Sequence, residues 1–320
     1  MQIENNTSDY YTVAFYNLEN LFDTFDDRQT HDDDYTPMSE KKWTLKRYNK
    51  KVRKLGYVIS EIGSKVSKKV PVIVGLAEVE NKTVIEDLID SKFLKTHPYD
   101  YVHYDSPDER GIDVAMLYHK DYFKLNWSEV YPLELYKEDG SRDYTRDILV
   151  VNGLLNGEVM HVIINHWPSR REGVVKTQAS RLRASDKVLE IVKAIKTKNS
   201  NAKILIMGDF NDGPDNKSVK QLTYKEDLYN PMEQLRSFHR GSLNYKFKWN
   251  LFDQILCSTN FFEHKHNKHS FSKANIFDKE FLKQFKGKFK GNPFRTYAGK
   301  AYKGGYSDHF PVYLFLKQKQ

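Results

Sequence analysis

The apolar positions along the chain change period several times, and each change marks an element. Residues 11–16 combine β-branched and aromatic side chains and predict a strand that runs into Asn17-Leu18-Glu19-Asn20. Leu45, Tyr48, Val52, Leu55, Ile59 and Ile62 recur at steps of three and four, with lysines and arginines between them, and predict a helix from residue 39 whose apolar stripe lies on a sheet. Residues 70–77 form a second apolar run, which ends in Glu78-Val79-Glu80-Asn81 and leads into a short helix to residue 88. Residues 99–105 and 112–118 read as neighbouring strands, and 133–144 as a polar connection. The pair Asn156-Gly157 is a strong turn signal, so 148–155 and 158–165 predict a hairpin. A helix over 177–198 follows, with Leu182, Val188, Leu189, Val192 and Ile195 on one face.

Within residues 203–212, KILIMGDFND, Ile204, Leu205, Ile206 and Met207 then give a short unbroken apolar run, a strand buried on both faces. Gly208 is expected to let the backbone turn sharply there, releasing Asp209, Asn211 and Asp212 into one loop. Residues 249–256 place Asp253 inside an apolar strand, and the last strand, 310–315, begins directly after Ser307-Asp308-His309. Strands and amphipathic helices alternate irregularly, with antiparallel hairpins among them, which predicts two sheets packed face to face with helices outside. Neither GxGxxG nor GxxxxGK[ST] occurs, so the two commonest nucleotide-binding motifs are absent.

At 320 residues, with 39% hydrophobic and no repeat or long linker, the chain suits one large domain over 1–320, with 1–10 a polar tail and 259–303 a substrate-side insertion. Six aspartates in residues 23–34 read as a solvated acidic loop without calcium-loop spacing. A net charge of +8 favours polyanionic partners such as nucleic acid or anionic headgroups. The single cysteine, Cys257, excludes an internal disulfide and reads as a buried small residue. No stretch is long enough to cross a bilayer. A monomer is expected, cytoplasmic if the chain is complete and secreted if a leader was removed.

Five separate strand ends carry polar residues of one chemical type: Asn17, Glu78, His166, Asp209 with Asn211, and Asp308 with His309. Any one is explained as a cap or turn; together at one rim they would line a pocket suited to metal-assisted hydrolysis of a phosphate ester. The segments FYNLENLF, LAEVEN, RGIDVAMLY, NHWPSR, GDFND, FDQIL and GYSDHFPV, in that order from residue 15 to 312, resemble the endonuclease/exonuclease/phosphatase superfamily, whose members are DNase I-like. The resemblance spans nearly the whole chain and is nearest to the bacterial nuclease-like branch. It implies an α+β fold, a four-layer α-β-β-α sandwich of two packed mixed β-sheets flanked by helices. It implies that Glu78 is the principal ligand of a Mg²⁺ or Mn²⁺ ion, with Asn17 and Asp308 close to it, and that Asp209 orients or deprotonates the attacking water. Asn211 would donate to a phosphate oxygen. His309, oriented by the buried Asp253, would donate to the scissile phosphate, with His166 near the leaving group.

Arg146 and Arg170 are weaker candidates for phosphate contact and substrate steering, while Arg110 and Asp113 read as structural. The segment 279–306 interleaves lysines with aromatics and runs into the Asp308-His309 site. Phe281, Phe285 and Phe289, spaced by four, predict the apolar face of a helix. The Gly/Tyr-rich part after Gly291, with Arg295 and Tyr297, predicts a loop facing substrate. The resulting expectation is a Mg²⁺-dependent nuclease acting on DNA or RNA. The alternatives are a phosphatase or phospholipase-like phosphodiesterase on a small ester or headgroup, and a nucleic-acid-binding module without activity. The departures from the superfamily's repair enzymes and inositol phosphatases, YNLEN in the first motif and Asp212 after Asn211, leave neither of those specific activities assigned.

Overall fold

A computed structural model describes residues 8–171 and 173–319. In chain order the main elements are β1 (Ser8–Leu21), α1 (Leu45–Glu61), β2 (Ile73–Val79), α2 (Lys82–Ile89), β3 (Tyr99–His103), β4 (Asp113–His119), β5 (Phe123–Tyr131), β6 (Ile148–Leu155) and β7 (Glu158–His166). There follow α3 (Gln178–Lys198), β8 (Lys203–Asp209), α4 (Lys217–Lys225), β9 (Leu228–Tyr229), β10 (Asp253–Ser258), β11 (His269–Ile276) and β12 (Val312–Lys319). Two six-stranded mixed sheets result, one in the order β11-β12-β1-β2-β4-β3 and the other in the order β9-β10-β8-β7-β6-β5.

The sheets pack face to face, and both faces of their central strands are covered, so those strands are apolar throughout instead of alternating. Between the sheets, Phe15 and Met207 meet across Gly75, in a core that also takes in Val13, Ile73, Val162, Leu205 and Ile255. At Gly75 a Cβ would stand 2.6 Å from the Met207 sulfur of the facing sheet, so only glycine admits that methionine. A second cluster seats Val188, Leu189 and Val192 of α3 and Leu222 of α4 on Val150, Ile163, Ile204 and Ile206. The helices α1 and α2 pack together beside the first sheet, with Leu55, Ile59, Val84 and Leu88 fully buried. Burying one such side chain contributes about 1.5–3 kcal/mol.

Several sequence expectations shift. The first helix starts at Leu45, after a turn that ends on Thr44, and not at residue 39. The strands β5 and β11, absent from the sequence reading, are sheet edges whose residues are half exposed and largely polar. The stretch 259–303 is therefore divided: Asn260 donates to the Asn201 and Ala202 carbonyls at the opposite rim, His269–Ile276 belongs to the first sheet, and the part that holds Arg295 reaches the rim near Asp308. The helix expected over Phe281, Phe285 and Phe289 is replaced by one 3₁₀ turn, Glu280–Leu282, and a loop closed by a bridge between Lys283 and Pro293. Gly287 and Gly291 take φ of 77° and 90° there, and Phe285 and Phe289 are exposed. Residues 8–10 of the expected tail pair with β12, while residues 1–7 lie outside the described residues. The 133–144 connection contains a small hairpin, Leu135–Tyr136 with Arg142–Asp143. Cys257 is buried and free. Among the described residues, no helix is long and apolar enough to cross a membrane.

Candidate active site

Strand direction decides where the polar ends fall. In the first sheet β1 and β2 run parallel, with Asn17 beside Ala77, so Asn17 and Glu78 leave at the same end. The antiparallel neighbour β12 enters at that end, with Val312 opposite Phe15, which brings Asp308 and His309 to it. In the second sheet β7 and β8 run parallel, with His166 beside Asp209, and antiparallel β10 begins with Asp253 opposite Asp209. A hydrogen bond 3.1 Å long from the Asn17 amide to Asp209 Oδ2 joins the two sheets, so these ends form one rim.

At its centre His309 Nδ1 lies 2.7 Å from Asp253 Oδ2, and His309 Nε2 faces Asp209 Oδ2 and Asp308 Oδ1, each at 4.0 Å. Burial alone would lower the His309 pKa, but the Asp253 carboxylate, with Asp209 and Asp308, lifts it well above the ordinary histidine value. His166 Nε2 stands 3.8 Å from the same Asp209 oxygen. Burial, reinforced by Arg146 and Arg110, holds His166 well below its usual value. The two histidines flanking one carboxylate are thus shifted in opposite directions. Asp209 itself is pushed up to about 7 by burial and by Asp253, and its Oδ1 accepts the Asn211 backbone N–H at 2.9 Å.

The chain reaches this rim through strained backbone. Glu19, Asn20, Glu78 and Asn211 all have φ between 48° and 62°, a region that side chains with a Cβ rarely occupy. Glu78 is held there by Asn20 N–H, which donates to its Oε2 at 2.8 Å. Gly208, in contrast, does not turn: a Cβ on it would fall 2.3 Å from the Asn165 carbonyl oxygen, so it serves the close pairing of β8 with β7, and the turn comes at Asn211.

The donor set fits a hard divalent cation. Glu78 and Asp308 offer carboxylate oxygens at the rim, and each has one oxygen held, Glu78 Oε2 by Asn20 and Asp308 Oδ2 by Arg295 at 2.7 Å. Asn17 Oδ1 accepts Glu19 N–H and its amide is spent on Asp209, so its part is to tie the sheets as well as to adjoin the ligands. Among the described residues the groups of three whose ligand atoms lie within 4.8 Å of one another are Asp209-Asp253-His309 and His103-Asp105-Asp113, and neither includes Glu78 or Asp308. In the first, the Asp253–His309 hydrogen bond occupies the ring nitrogen.

Four sequence candidates serve the framework instead of facing substrate. Arg146 donates to Asp108 and to the Trp167 carbonyl, each at 2.9 Å, and is buried. Arg170 donates to the Asn211 carbonyl and to Asn216, and it pairs with Asp212, which fixes the loop that carries Asn211. Tyr297 is buried against Trp43 and Tyr35, with its hydroxyl donating to the Lys41 carbonyl. Arg295 is bound to Asp308 and, at 3.5 Å, to Glu19, so its charge already has partners at the rim. Asn211 spends one amide hydrogen on the Trp167 carbonyl at 2.9 Å.

The sequence reading missed Glu19 and Lys51. Glu19 is buried, accepts Thr296 N–H at 2.6 Å, and is pushed up to about 7 by burial and the nearby Asp308. Lys51, on α1, donates to the Glu19 carbonyl and to Thr296 Oγ1, and burial lowers its pKa. Both signals were legible: Glu19 is two residues beyond Asn17, and Lys51 sits between Tyr48 and Leu55 on the apolar stripe.

A two-sheet sandwich whose carboxylates and histidines gather at a single rim defines a class of phosphate-ester hydrolases. The chain belongs to the Endonuclease/Exonuclease/phosphatase family, whose model matches residues 12–318, and it is an enzyme of that phosphoester-hydrolysing group. A family protein from Bacteroides thetaiotaomicron has a similar structure, with 18% sequence identity, a TM-score of 0.61, and coverage of 98% of this chain and 100% of that one. The mannosyl-6-phosphatase of Bacteroides thetaiotaomicron VPI-5482 is 17% identical with a TM-score of 0.58 over 96% and 99% of the two chains. Danio rerio TDP2 complexed with single-strand DNA product is 13% identical with a TM-score of 0.57 over 96% and 98%. These likenesses establish the shared fold. No curated protein matches the sequence.

Proposed function

We propose that this enzyme is a Mg²⁺- or Mn²⁺-dependent phosphodiester hydrolase that cleaves nucleic acid. The observation that carries the reading is the pair of histidines on either side of Asp209, His166 at 3.8 Å and His309 at 4.0 Å, with Asp308 4.0 Å from His309. In this mechanism Asp209, pushed up to about 7, orients the attacking water and accepts its proton. His309, kept protonated by Asp253, donates from Nε2 to the phosphoryl oxygen on which charge develops. His166 stands on the leaving-group side, and Asn211 turns its remaining amide hydrogen to a phosphate oxygen. Glu78 and Asp308, with Asn17 adjoining, would hold the cation, which supplies charge opposite the phosphoryl oxygens and lowers the pKa of a bound water.

A phosphomonoesterase is the second reading. It is favoured by a cavity of about 750 Å³, lined by bases such as Arg110 and Arg171 and by as many acids, with room for a compact ester. Both are tested by incubating the purified chain and Mg²⁺ with plasmid, oligoribonucleotide, bis(p-nitrophenyl) phosphate, sugar phosphates and sphingomyelin. The nuclease reading expects release of oligonucleotide products that stops in EDTA and falls about 10²–10⁴-fold in Asp209→Asn and His309→Ala. Cleavage of monoesters alone contradicts it, and degradation that survives both substitutions belongs to a contaminant.

A further inference from the structure

Two arms project from the rim beside His309. The first is the hairpin Leu243–Tyr245 with Lys248–Asn250, whose turn presents Lys246 and Phe247. It is rooted at the site: Ser242 Oγ accepts the Asp253 N–H, the Ser242 carbonyl accepts the Phe310 N–H, and Trp249 stacks on Phe310. The second is the loop between the bridged residues Lys283 and Pro293, which leads directly to Arg295, the partner of Asp308. The arms meet at their tips, where the Phe247 and Phe289 rings lie 5.7 Å apart and 8° from parallel.

Both tips are solvent exposed: Phe247 is 66% and Phe285 69% accessible. Lysines lie over the rings, Lys286 at 5.6 Å from the Phe285 centroid and Lys288 at 5.0 Å from that of Phe289. Residues 241–250 and 284–300 together hold seven lysines and arginines and no acid, in a chain whose net charge is +8. Five of these, Lys246, Lys248, Lys286, Lys288 and Lys290, stand on the two arms themselves, while Arg295 and Lys300 are paired with Asp308 and Glu40.

We propose that the arms dock single-stranded nucleic acid, holding the nucleotides that flank the scissile phosphate. This inference rests on the nuclease reading of the rim. The first arm roots beside Asp253 and Phe310 and the second leads to Asp308, so a phosphate held at His309 lies next to both. Unstacked bases offer π-faces to Phe247, Phe285 and Phe289, and the backbone offers phosphates to Lys286, Lys288 and Lys290. A duplex keeps its base faces stacked and hidden from the rings. An anionic membrane would meet the same lysines, whose long stems let the ammonium groups stay in water beside buried rings, and a vesicle measurement separates it.

The test titrates the full chain into fluorescein-labelled oligothymidylate of about 16 nucleotides in EDTA, read by anisotropy, with sedimentation of phosphatidylserine vesicles in parallel. One variant combines Phe247→Ala with Phe289→Ala; the other combines Lys286→Gln, Lys288→Gln and Lys290→Gln. All five positions are on the surface, and unchanged melting curves verify the fold of each. Oligothymidylate binding should weaken by about 10-fold or more in both, and the lysine variant should flatten the slope of log affinity against log salt by about 2. Wild-type affinity in either variant overturns the proposal. So does undetectable oligonucleotide binding alongside tight vesicle binding, which would make the arms a membrane surface. Because binding is measured without divalent cations, a chain that binds through the arms yet hydrolyses no diester would sink the nuclease reading and leave the docking surface standing.

Discussion

At the scale of single residues, the site is built by opposing environments around Asp209. Asp253 is fully buried and hydrogen-bonds His309, while its second oxygen has no protein partner among the described residues. Such an acid is retained in the interior only with a paired charge. If Asp253 holds His309 in its donating state, Asp253→Asn lowers kcat by about 10²–10⁴ with little change in KM, because the loss is felt as charge develops on the phosphate. Steady-state kinetics on bis(p-nitrophenyl) phosphate decides this, and a rise in KM alone would mean that Asp253 positions substrate instead. Arg170 gives the converse case. It clasps Asn211, Asp212 and Asn216, so Arg170→Ala should lower the melting temperature as well as activity, which differential scanning calorimetry reads. Sequence spacing identified the acids and histidines but not which arginines were already engaged, since Arg146 and Arg170 find their partners only after folding.

At the scale of elements, the rim opposite the site is closed by another buried charge group. Glu158 at the start of β7 pairs with Lys203 at the start of β8, at 3.3 Å, and with His269 Nδ1 at the start of β11, at 2.8 Å. Since β7 and β11 belong to different sheets, this triad fastens the sandwich. Glu158→Ala, which leaves Lys203 buried and unpaired, should destabilise the chain by about 3–5 kcal/mol in urea denaturation.

The pH sign follows from His269, whose pKa burial lowers in the folded state despite Glu158. Below about 6.5 the unfolded chain takes up that proton first, so stability falls as pH drops from the ordinary histidine value towards the folded one. The urea midpoint difference between wild type and His269→Asn should therefore narrow on acidification from about pH 7.5 to about pH 5.5. A constant difference would show that His269 does not titrate with unfolding. The elements read best were the fully apolar strands and the two long helices. The edge strands β5 and β11 escaped because half of their residues face water and break the apolar pattern. The spacing of Phe281, Phe285 and Phe289 misled because a spacing of four is also what a Gly-turned loop gives: Phe281 packs against the core as expected, while Phe285 meets Phe294 edge-on and Phe289 stacks on the other arm.

At the scale of the whole molecule, the ends of parallel and antiparallel strands from two sheets coincide, and catalysis is proposed to depend on that coincidence. The ordered motifs made the fold and the family legible. They left the cation's seat to inference, because Glu78 and Asp308 come from segments more than two hundred residues apart in the chain. The direct test is a crystal soaked in Mn²⁺, with data collected at the manganese absorption edge. The account predicts an anomalous peak at about 2.1 Å from carboxylate oxygens of Glu78 and Asp308. A peak only at His103, Asp105 and Asp113, or none at the rim while Mn²⁺ supports hydrolysis, would contradict it.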